Sequence, residues 1–243
     1  MLISLDGIVF RGDMSRGMFT VEHSALRGWF ESPGVRRADT ARPLGDGSFH
    51  ALTYRAGRSV SWSGLILTKS PSEQLAAMQQ LAGMCSDRGL SRLTVQHQGG
   101  TSWADVELLQ APEVQVLAYG RVARYDVELF APDPRRYGDL RTFAGTETVF
   151  HRGNAPAFPK IVIPSAGAAY SVTSAGKTIM VAGAPAGGRH VIDTRTGRLT
   201  SDGALMTGMV TRADQITLPP GPGQSFTLSP NRSFQIQVQD TFF

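Results

Sequence analysis

The chain has 243 residues, enough for one large β domain or two ordinary ones. Hydrophobic residues make up 41% of it and charged residues 18%, which excludes a compositionally disordered chain. The formal net charge is +4, but 15 Lys/Arg balance 15 Asp/Glu up to Leu140, and the nine basic residues after it are scattered. This distribution disfavours a dedicated nucleic-acid binder, which concentrates its cations in a stripe.

The sequence predicts neither a membrane span nor a secretion signal. No apolar run reaches ~18 residues, the length needed to cross a bilayer. The N-terminus MLISLDGIVFRGDM lacks a basic start and a long apolar stretch, so we interpret it as a strand followed by a turn. The single cysteine, Cys85, leaves no disulfide framework and no CxxC metal motif, and we assign it to packing within a predicted helix.

Apolar and polar residues alternate with period two along much of the chain up to residue 131, which predicts β-strands. The last of these runs is long enough for two strands with a kink at Gly120 or for one bent strand. The 27 Gly and 14 Pro favour many short strands over a helical bundle. The predicted strands of this part are 18–23, 48–55, 58–68, 91–97, 102–109 and 113–131.

One predicted helix, residues 70–89, interrupts these strands. Ser70 is a good N-cap, Pro71 suits the first helical position, and Glu73 completes an S-x-x-E capping box. Gly89 is placed to end the helix in a left-handed conformation. The 3.6-residue period predicts one buried apolar face, made of Leu75, Met78, Leu81, Ala82 and Cys85.

Residues 26–47 form a stretch without clear periodicity, which we interpret as a long loop. A loop of this length in a compact domain is usually functional, lid-like or partner-binding. A loosely ordered surface loop is the alternative. The stretch mixes aromatic and charged side chains, as protein interfaces do: Trp29, Phe30, Arg36, Arg37 and Asp39.

A break in the strand pattern at ELFAPDPRRYGDLRTFAG predicts two domains, residues 1–140 and 141–243. After the break, short strands recur roughly every 8–12 residues without a helix, the pattern of a β-sandwich. HRGNAPAFPKIVIP, residues 151–164, is interpreted as the entrance to this second domain. Its two prolines pre-extend the chain, and its Ile-Val-Ile run enters the core.

No residue pattern in the chain predicts catalysis, a cofactor or a metal. SAGKT at 174–178 imitates a phosphate-binding loop, but Ser171 stands where glycine is needed and a strand follows. Asp105 and Glu107 share one face of a strand, as a glycosidase pair would, but a solvated face explains them equally well. Five histidines lie too far apart for a metal motif: His23, His50, His97, His151 and His190. We therefore predict a structural or binding protein and not an enzyme.

Five stretches, in order along the chain, resemble the distal tail protein (Dit) family of long-tailed bacteriophages. The first two include a strand with a central glycine followed by a helix of leucines, and a strand ending in Asp-Pro-Arg-x-Tyr. His151 departs from the family, where asparagine is frequent, which concerns the hydrogen bonding of that turn. The stretches are TYRAGRSVSWSGLILTKSPSEQLAAMQQLAGM, YDVELFAPDPRRYG, HRGNAPAFPKIVI, HVIDTRTGRLTSDG and ITLPPGPGQSFTL.

This resemblance implies a mainly β fold: an N-terminal β-sandwich with one α-helix, similar to tail-tube proteins, and a C-terminal galectin-like β-sandwich. It implies a homo-hexamer whose ring joins the tail tube protein to the tail tip hub protein of the baseplate. The ring would leave a channel for DNA and the tape-measure protein, without specific DNA binding, and would offer docking surface to receptor-binding components. The protein would be a virion component of the tail tip, assembled in the host cytoplasm, with no membrane partner.

A ring requires a patch on one subunit to meet a different patch on the next. The long loop could supply one of these patches, so we predict that Trp29, Phe30, Arg36, Arg37 and Asp39 contribute to the ring contact. The alternative function is a carbohydrate-binding module that recognises host-surface glycan. No tryptophan lies beyond Trp103, although a sugar platform would normally use one.

Overall fold

The structure is a computed structural model that describes residues 1–13, 18–22, 24–87 and 89–243. These residues are mainly β, with 49% strand and one helix, which confirms the predicted fold class. They form two compact units, residues 1–136 with Phe243 and residues 137–242. The predicted domain boundary after residue 140 stays a prediction, and it falls within a strand, Arg136–Ala144.

In the first unit, seven strands close into a barrel in the order β12, β8, β3, β2, β1, β9, β10 and back to β12, and one further strand, β11, pairs with the free half of β12. The unit's helix is α1 (Pro71–Ala82). Its strands are β1 (Leu2–Leu5), β2 (Ile8–Arg11), β3 (Phe19–Thr20), β4 (Val35–Arg37), β5 (Thr40–Ala41), β6 (Ser48–Phe49), β7 (Thr53–Arg55), β8 (Arg58–Leu67), β9 (Ser91–His97), β10 (Gly100–Leu108), β11 (Glu113–Ala118) and β12 (Val122–Ala131).

Aromatic side chains from four strands fill the core of this unit. The ring of Phe10 lies 5.2 Å from that of Trp62, 5.5 Å from Phe19 and 5.6 Å from Tyr125, between centroids. The Tyr125 hydroxyl donates a hydrogen bond to the Thr20 carbonyl at 2.7 Å, and burial raises its pKa so that it remains a donor. The period-two strands therefore bury one face each, as their sequences predict.

The helix begins as predicted and ends earlier. The Ser70 hydroxyl accepts a hydrogen bond from the Glu73 amide at 3.3 Å, and the Glu73 carboxylate accepts one from the Lys69 amide at 2.8 Å. The end predicted at Gly89 is wrong, because the helix stops at Ala82 with Gly83 as its C-cap at φ −84°. Cys85 therefore lies outside the helix, in a turn at φ 52°.

The predicted apolar face of the helix is right only in part, since Leu81 is buried and Met78 and Cys85 pack partly buried against the core. The fully buried residues are Gln74, Ala77 and Leu81, whereas Leu75 is 56% exposed. The centre of the buried face is rotated by less than one residue's roughly 100° of helix from the face that the apolar spacing predicts. A polar residue, Gln74, occupies the position that the pattern assigned to the surface.

The second unit is a sandwich of two sheets. One sheet has the order β13, β22, β14, β17, β18, β19 and the other β20, β16, β15, β21. Apolar residues of both sheets share one core, among them Ile161, Val172 and Ile192, as the strand spacing predicted. The strands are β13 (Arg136–Ala144), β14 (Lys160–Ile163), β15 (Tyr170–Ser174), β16 (Lys177–Val181), β17 (His190–Asp193), β18 (Arg198–Ser201), β19 (Ala204–Met206), β20 (Val210–Ala213), β21 (Thr227–Ser229) and β22 (Gln235–Phe242).

Two expectations for this part need correction. ELFAPDPRRYGDLRTFAG interrupts the strands only at residues 132–135, which hold its prolines, and Gly138 does not break the pattern because it lies within β13. TETVFH, residues 146–151, is the first of the short strands predicted after the break, and it forms only a single bridge from Val149 to Gln224. The run Ile161–Ile163 is buried in the core of the unit, as predicted.

Candidate functional site

Residues 34–55 form a β-hairpin that, among the described strands, pairs with itself alone, and we call it the hairpin arm. β4 pairs with β7, and β5 pairs with β6. Between the two ladders the chain advances three residues from Arg37 to Thr40 but four residues from Phe49 to Thr53. One extra residue on one strand is the signature of a β-bulge. The prediction of an irregular loop over 26–47 is therefore wrong for the part that forms β4 and β5.

The hairpin arm exposes apolar side chains that a monomer would normally bury. Leu44 at its tip is fully exposed and Leu52 is 71% exposed. Arginines lie over its aromatic rings, with the Arg36 guanidinium 5.9 Å from the Tyr54 ring and that of Arg42 5.8 Å from the Phe49 ring. Contiguous exposed apolar surface with a charged rim is typical of an interaction site.

A buried arginine holds the base of the hairpin arm. Arg58 donates hydrogen bonds to the carbonyls of Trp29 at 2.9 Å, Glu31 at 2.8 Å and Pro134 at 3.0 Å. Burial, and then the charge of Arg136, lower the pKa of Arg58 to about 10, so its guanidinium stays charged at neutral pH. The chain leading into the arm is thus fixed by charge-assisted hydrogen bonds.

The structure places the five predicted interface residues in two environments. Trp29 has no exposed surface and packs in the barrel core, so the prediction that it touches a neighbour is corrected: its side chain supports the base of the arm. Phe30, Arg36, Arg37 and Asp39 are exposed. Arg37 and Asp39 form an ion pair on the arm, and a role of these four residues in a ring contact stays a prediction.

A second apolar surface lies between α1 and β11. A groove of about 360 Å³, which we call the edge groove, is lined by Pro71, Ser72, Gln74, Leu75, Met78, Val116 and Tyr119. Leu75 is 56% exposed and Tyr119 is 82% exposed. Among the described strands β11 pairs with β12 alone, so its other edge has no ladder partner.

Gln74 fixes the geometry of the edge groove. Its amide nitrogen donates to the Ala118 carbonyl at 3.2 Å, and its amide oxygen accepts from the Gly120 amide at 2.9 Å. The side chain therefore clamps α1 to the turn between β11 and β12, which forms at Gly120 with φ 70°. The two-strand interpretation of residues 113–131 is confirmed. The sequence analysis did not select Gln74. The available signal was its position, because Gln74 lies on the helix face of Leu81, one turn after the Ser70 N-cap.

A polar groove of about 400 Å³ lies elsewhere on the barrel, with Ser61 and Ser63 among its lining residues. Three of its charged side chains pair with one another, since Arg124 lies 3.9 Å from a Glu22 oxygen and 3.7 Å from an Asp126 oxygen. Exposed pairs of this kind contribute little to stability. The groove has the electrostatics of a solvated face with both signs of charge.

Several of the remaining sequence candidates have structural partners. Asp105, of the carboxylate pair with Glu107, accepts a hydrogen bond from Arg92 at 3.2 Å. His190 lies 2.9 Å from the Tyr170 hydroxyl and 2.9 Å from the Pro185 carbonyl oxygen. His23 lies outside the described residues.

The described part of the chain contains no group of three His, Cys, Asp or Glu placed to hold a metal ion. No helix in it has the length and hydropathy to span a bilayer. SAGKT forms the turn of the β15–β16 hairpin, so a strand follows it, as predicted. Glycan recognition by residues 141–243 stays a prediction.

Comparison with known proteins establishes the fold. No sequence profile of a known protein family matches the chain, and no curated protein matches it. Its architecture is instead that of solved bacteriophage tail and baseplate proteins. It is similar to the crystal structure of the Dit protein (gp 19.1) of phage SPP1, with 13% identity, a TM-score of 0.79, and coverage of 100% of this chain and 99% of that one.

Two structures of the activated phage P2 baseplate are also similar. The structure with calcium has 9% identity, a TM-score of 0.54, and coverage of 98% of this chain and 97% of that one. The structure with strontium has 11% identity, a TM-score of 0.53, and coverage of 97% of this chain and 96% of that one. SPP1 Dit is described as a paradigm of the hub adsorption apparatus in phages that infect Gram-positive bacteria. The resemblance to Dit proteins is confirmed at the level of the fold.

Proposed function

We propose that this chain is a structural protein of a bacteriophage tail tip. Six copies form a ring that joins the tail tube protein to the tail tip hub protein and leaves an open channel. The observation that carries this proposal is the fold similarity to SPP1 Dit, which spans the whole of this chain at a TM-score of 0.79. In this role the protein is part of the virion and is assembled in the host cytoplasm.

The surface of the first unit supports a role in assembly. The hairpin arm exposes apolar side chains that no part of its own unit covers, and an assembly subunit buries such surface against a neighbour. Phe30, Arg36, Arg37 and Asp39 are the exposed residues that we assign to the ring contact. Trp29 acts beneath them by packing the base of the arm.

The charge distribution supports a channel that lets DNA through without gripping it. The residues up to Leu140 carry equal numbers of acidic and basic side chains. A ring built from them has no strong net attraction for phosphate, whose binding depends on clustered Lys and Arg. DNA and the tape-measure protein are therefore cargo of the channel, and receptor-binding components are its neighbours outside.

Electron microscopy of the purified chain tests this proposal. The expected result is a six-fold annulus with an open centre in negative-stain class averages. A chain that stays monomeric at every concentration, or closed particles without a lumen, would refute the ring. Turnover of a cell-wall substrate that is lost in Asp105→Asn would instead indicate an enzyme.

A further inference from the structure

The surface of the first unit contains two unpartnered apolar features that differ in shape. The hairpin arm is a protrusion with exposed Val35, Leu44, Phe49, Leu52 and Tyr54. The edge groove is a concave site beside the free edge of β11, with exposed Leu75 and Tyr119. A free strand edge next to exposed apolar side chains is normally covered in a native assembly.

We propose that the hairpin arm of one copy binds in the edge groove of a second copy. This inference rests on the proposed ring and names the two surfaces that build it. The contact is heterologous, because the arm and the groove are different patches of the same chain. In an open row of copies, one end keeps a free arm and the other end a free groove. Further copies can therefore be added until the two ends meet and the ring closes.

The elements that carry the two surfaces have opposite net charges, although the residues that line the edge groove are themselves uncharged. Residues 34–55 contain four arginines and two aspartates, a net charge of +2. Helix α1 and strand β11 contain Glu73 and Glu113 and neither Lys nor Arg, a net charge of −2. Opposite charges around an apolar centre select the partner and its register.

Strand β11 carries a specific reason to receive an arginine. Glu113 lies directly opposite Asp126 in the β11–β12 ladder, and like charges in this position repel each other. The arm bears Arg36 and Arg42 on its exposed face, each beside an aromatic ring. Arg124 lies 3.7 Å from Asp126, whereas no described ion pair involves Glu113, so Glu113 is the carboxylate that an arginine of the neighbouring arm would meet.

The backbones of the two surfaces are complementary as well. The hairpin arm contains two-stranded ladders, whose outer edges have no partner among the described strands. β11 likewise presents one unpaired edge. Strand addition between them would satisfy backbone groups on both sides while apolar side chains enter the groove.

Two double variants test the assignment in the full-length chain. Leu44→Glu with Leu52→Glu changes the arm, and Leu75→Glu with Tyr119→Glu changes the groove. All four side chains are more than half exposed in the single chain, so each variant should fold, as checked by circular dichroism. Leu140→Glu with Leu205→Glu is the matched control, because these leucines are 61% and 52% exposed and lie in the second unit.

Mass photometry of the variants gives the readout. We expect each double variant alone to raise the concentration for half-assembly at least tenfold, while the control assembles like the unmodified chain. An equimolar mixture of the arm and groove variants should form one-to-one dimers that do not grow, because the pair retains one intact arm and one intact groove. Reversed charges at Arg36 and Glu113, each weakening assembly alone, should restore it when combined.

The failures of the two proposals are distinguishable. Rings that persist in either double variant would overturn the arm-to-groove contact and leave the ring proposal standing. Failure of the mixed variants to dimerise would also overturn it. An unmodified chain that never self-associates would overturn both proposals together.

Discussion

At Gly64 the barrel has no space for a side chain. A Cβ atom built there would lie 1.7 Å from the Thr20 carbonyl oxygen and 2.8 Å from the Tyr125 hydroxyl. This close approach lets the Thr20 hydroxyl bond to the Leu65 amide at 3.1 Å across the short strand β3. The central glycine of the strand is therefore a packing requirement of the fold.

Replacing Gly64 by Ala tests this requirement. The added methyl group must displace backbone, so we expect a loss of about 1–3 kcal/mol or more in the free energy of unfolding. Urea denaturation followed by tryptophan fluorescence measures it. Gly45→Ala is the control, because that position is open, and an equal midpoint for the two variants would contradict the account.

His151 shows how the chain accommodates its departure from the Dit family. Its Nδ1 accepts a hydrogen bond from the Gly153 amide at 3.0 Å, the bond that an asparagine side chain would accept in such a turn. Burial is the main cause that lowers the pKa of His151 below its ordinary 6.5. The charge of Asp240 raises this pKa, whereas the charge of Arg141 lowers it further. The neutral imidazole is thus the form that fits the turn.

This pKa predicts a pH dependence of stability. The unfolded chain takes up a proton at His151 before the folded chain does, so the contribution is complete above pH 6.5 and is lost as the pH falls below it. His151→Asn keeps the acceptor and should flatten that part of the urea-midpoint profile between about pH 5 and 7. The unmodified chain, measured in parallel, is the reference. A profile that His151→Asn does not alter would contradict the assignment.

At the scale of elements, Gln74 joins α1 to the turn between β11 and β12. Gln74→Leu leaves the Ala118 carbonyl and the Gly120 amide without that partner, and a buried unsatisfied group costs about 1–3 kcal/mol. We therefore expect a lower unfolding midpoint in urea, with Gln80→Leu on the exposed face of the helix as the control. Equal midpoints would show that the clamp contributes nothing.

In the proposed assembly, the hairpin arm supplies contact surface and contributes little to the stability of the barrel. None of its residues is buried in the barrel core. Replacing residues 36–54 by Asn-Gly, a two-residue turn that suits a tight hairpin, should leave the unfolding midpoint within about 0.5 kcal/mol of the original. The same deletion should abolish assembly in mass photometry. A destabilised barrel or an unchanged ring would each contradict this division of roles.

Sequence periodicity predicts elements where one face is buried and fails where burial is two-sided or absent. β9 matches its predicted range, 91–97, because alternate residues enter the barrel core. The arm strands β4 and β5 were missed because every residue in them is exposed, so no alternation marks them. The helix face was misplaced because Gln74 is buried through hydrogen bonds, which a hydrophobic pattern does not register.

The candidate site was predictable in part, for the same reason. The mixture of aromatic and charged residues identified the segment that contains the arm, and four of its five selected residues are exposed. The sequence does not distinguish Trp29 from Phe30. The burial of Trp29 depends on Arg58 in β8, whose hydrogen bonds to the carbonyls of Trp29 and Glu31 hold this segment against that strand. The edge groove gave no signal, since it requires α1 and β11 to be adjacent in space.

At the scale of the whole molecule, two compact units each possess their own core. The first unit combines a hairpin arm with exposed apolar side chains and an apolar edge groove, the two features that the proposed contact uses. In the proposed role, the chain is a building unit whose function arises in the assembled particle.

The most direct measurement of this claim is the position and symmetry of the chain in an intact phage particle that contains it. Cryo-electron microscopy of such tails should resolve six copies in a closed ring between tube and hub, about six times the 26.1 kDa of one chain. Density for the chain anywhere other than the tail tip, or a copy number that does not close a ring, would contradict the account.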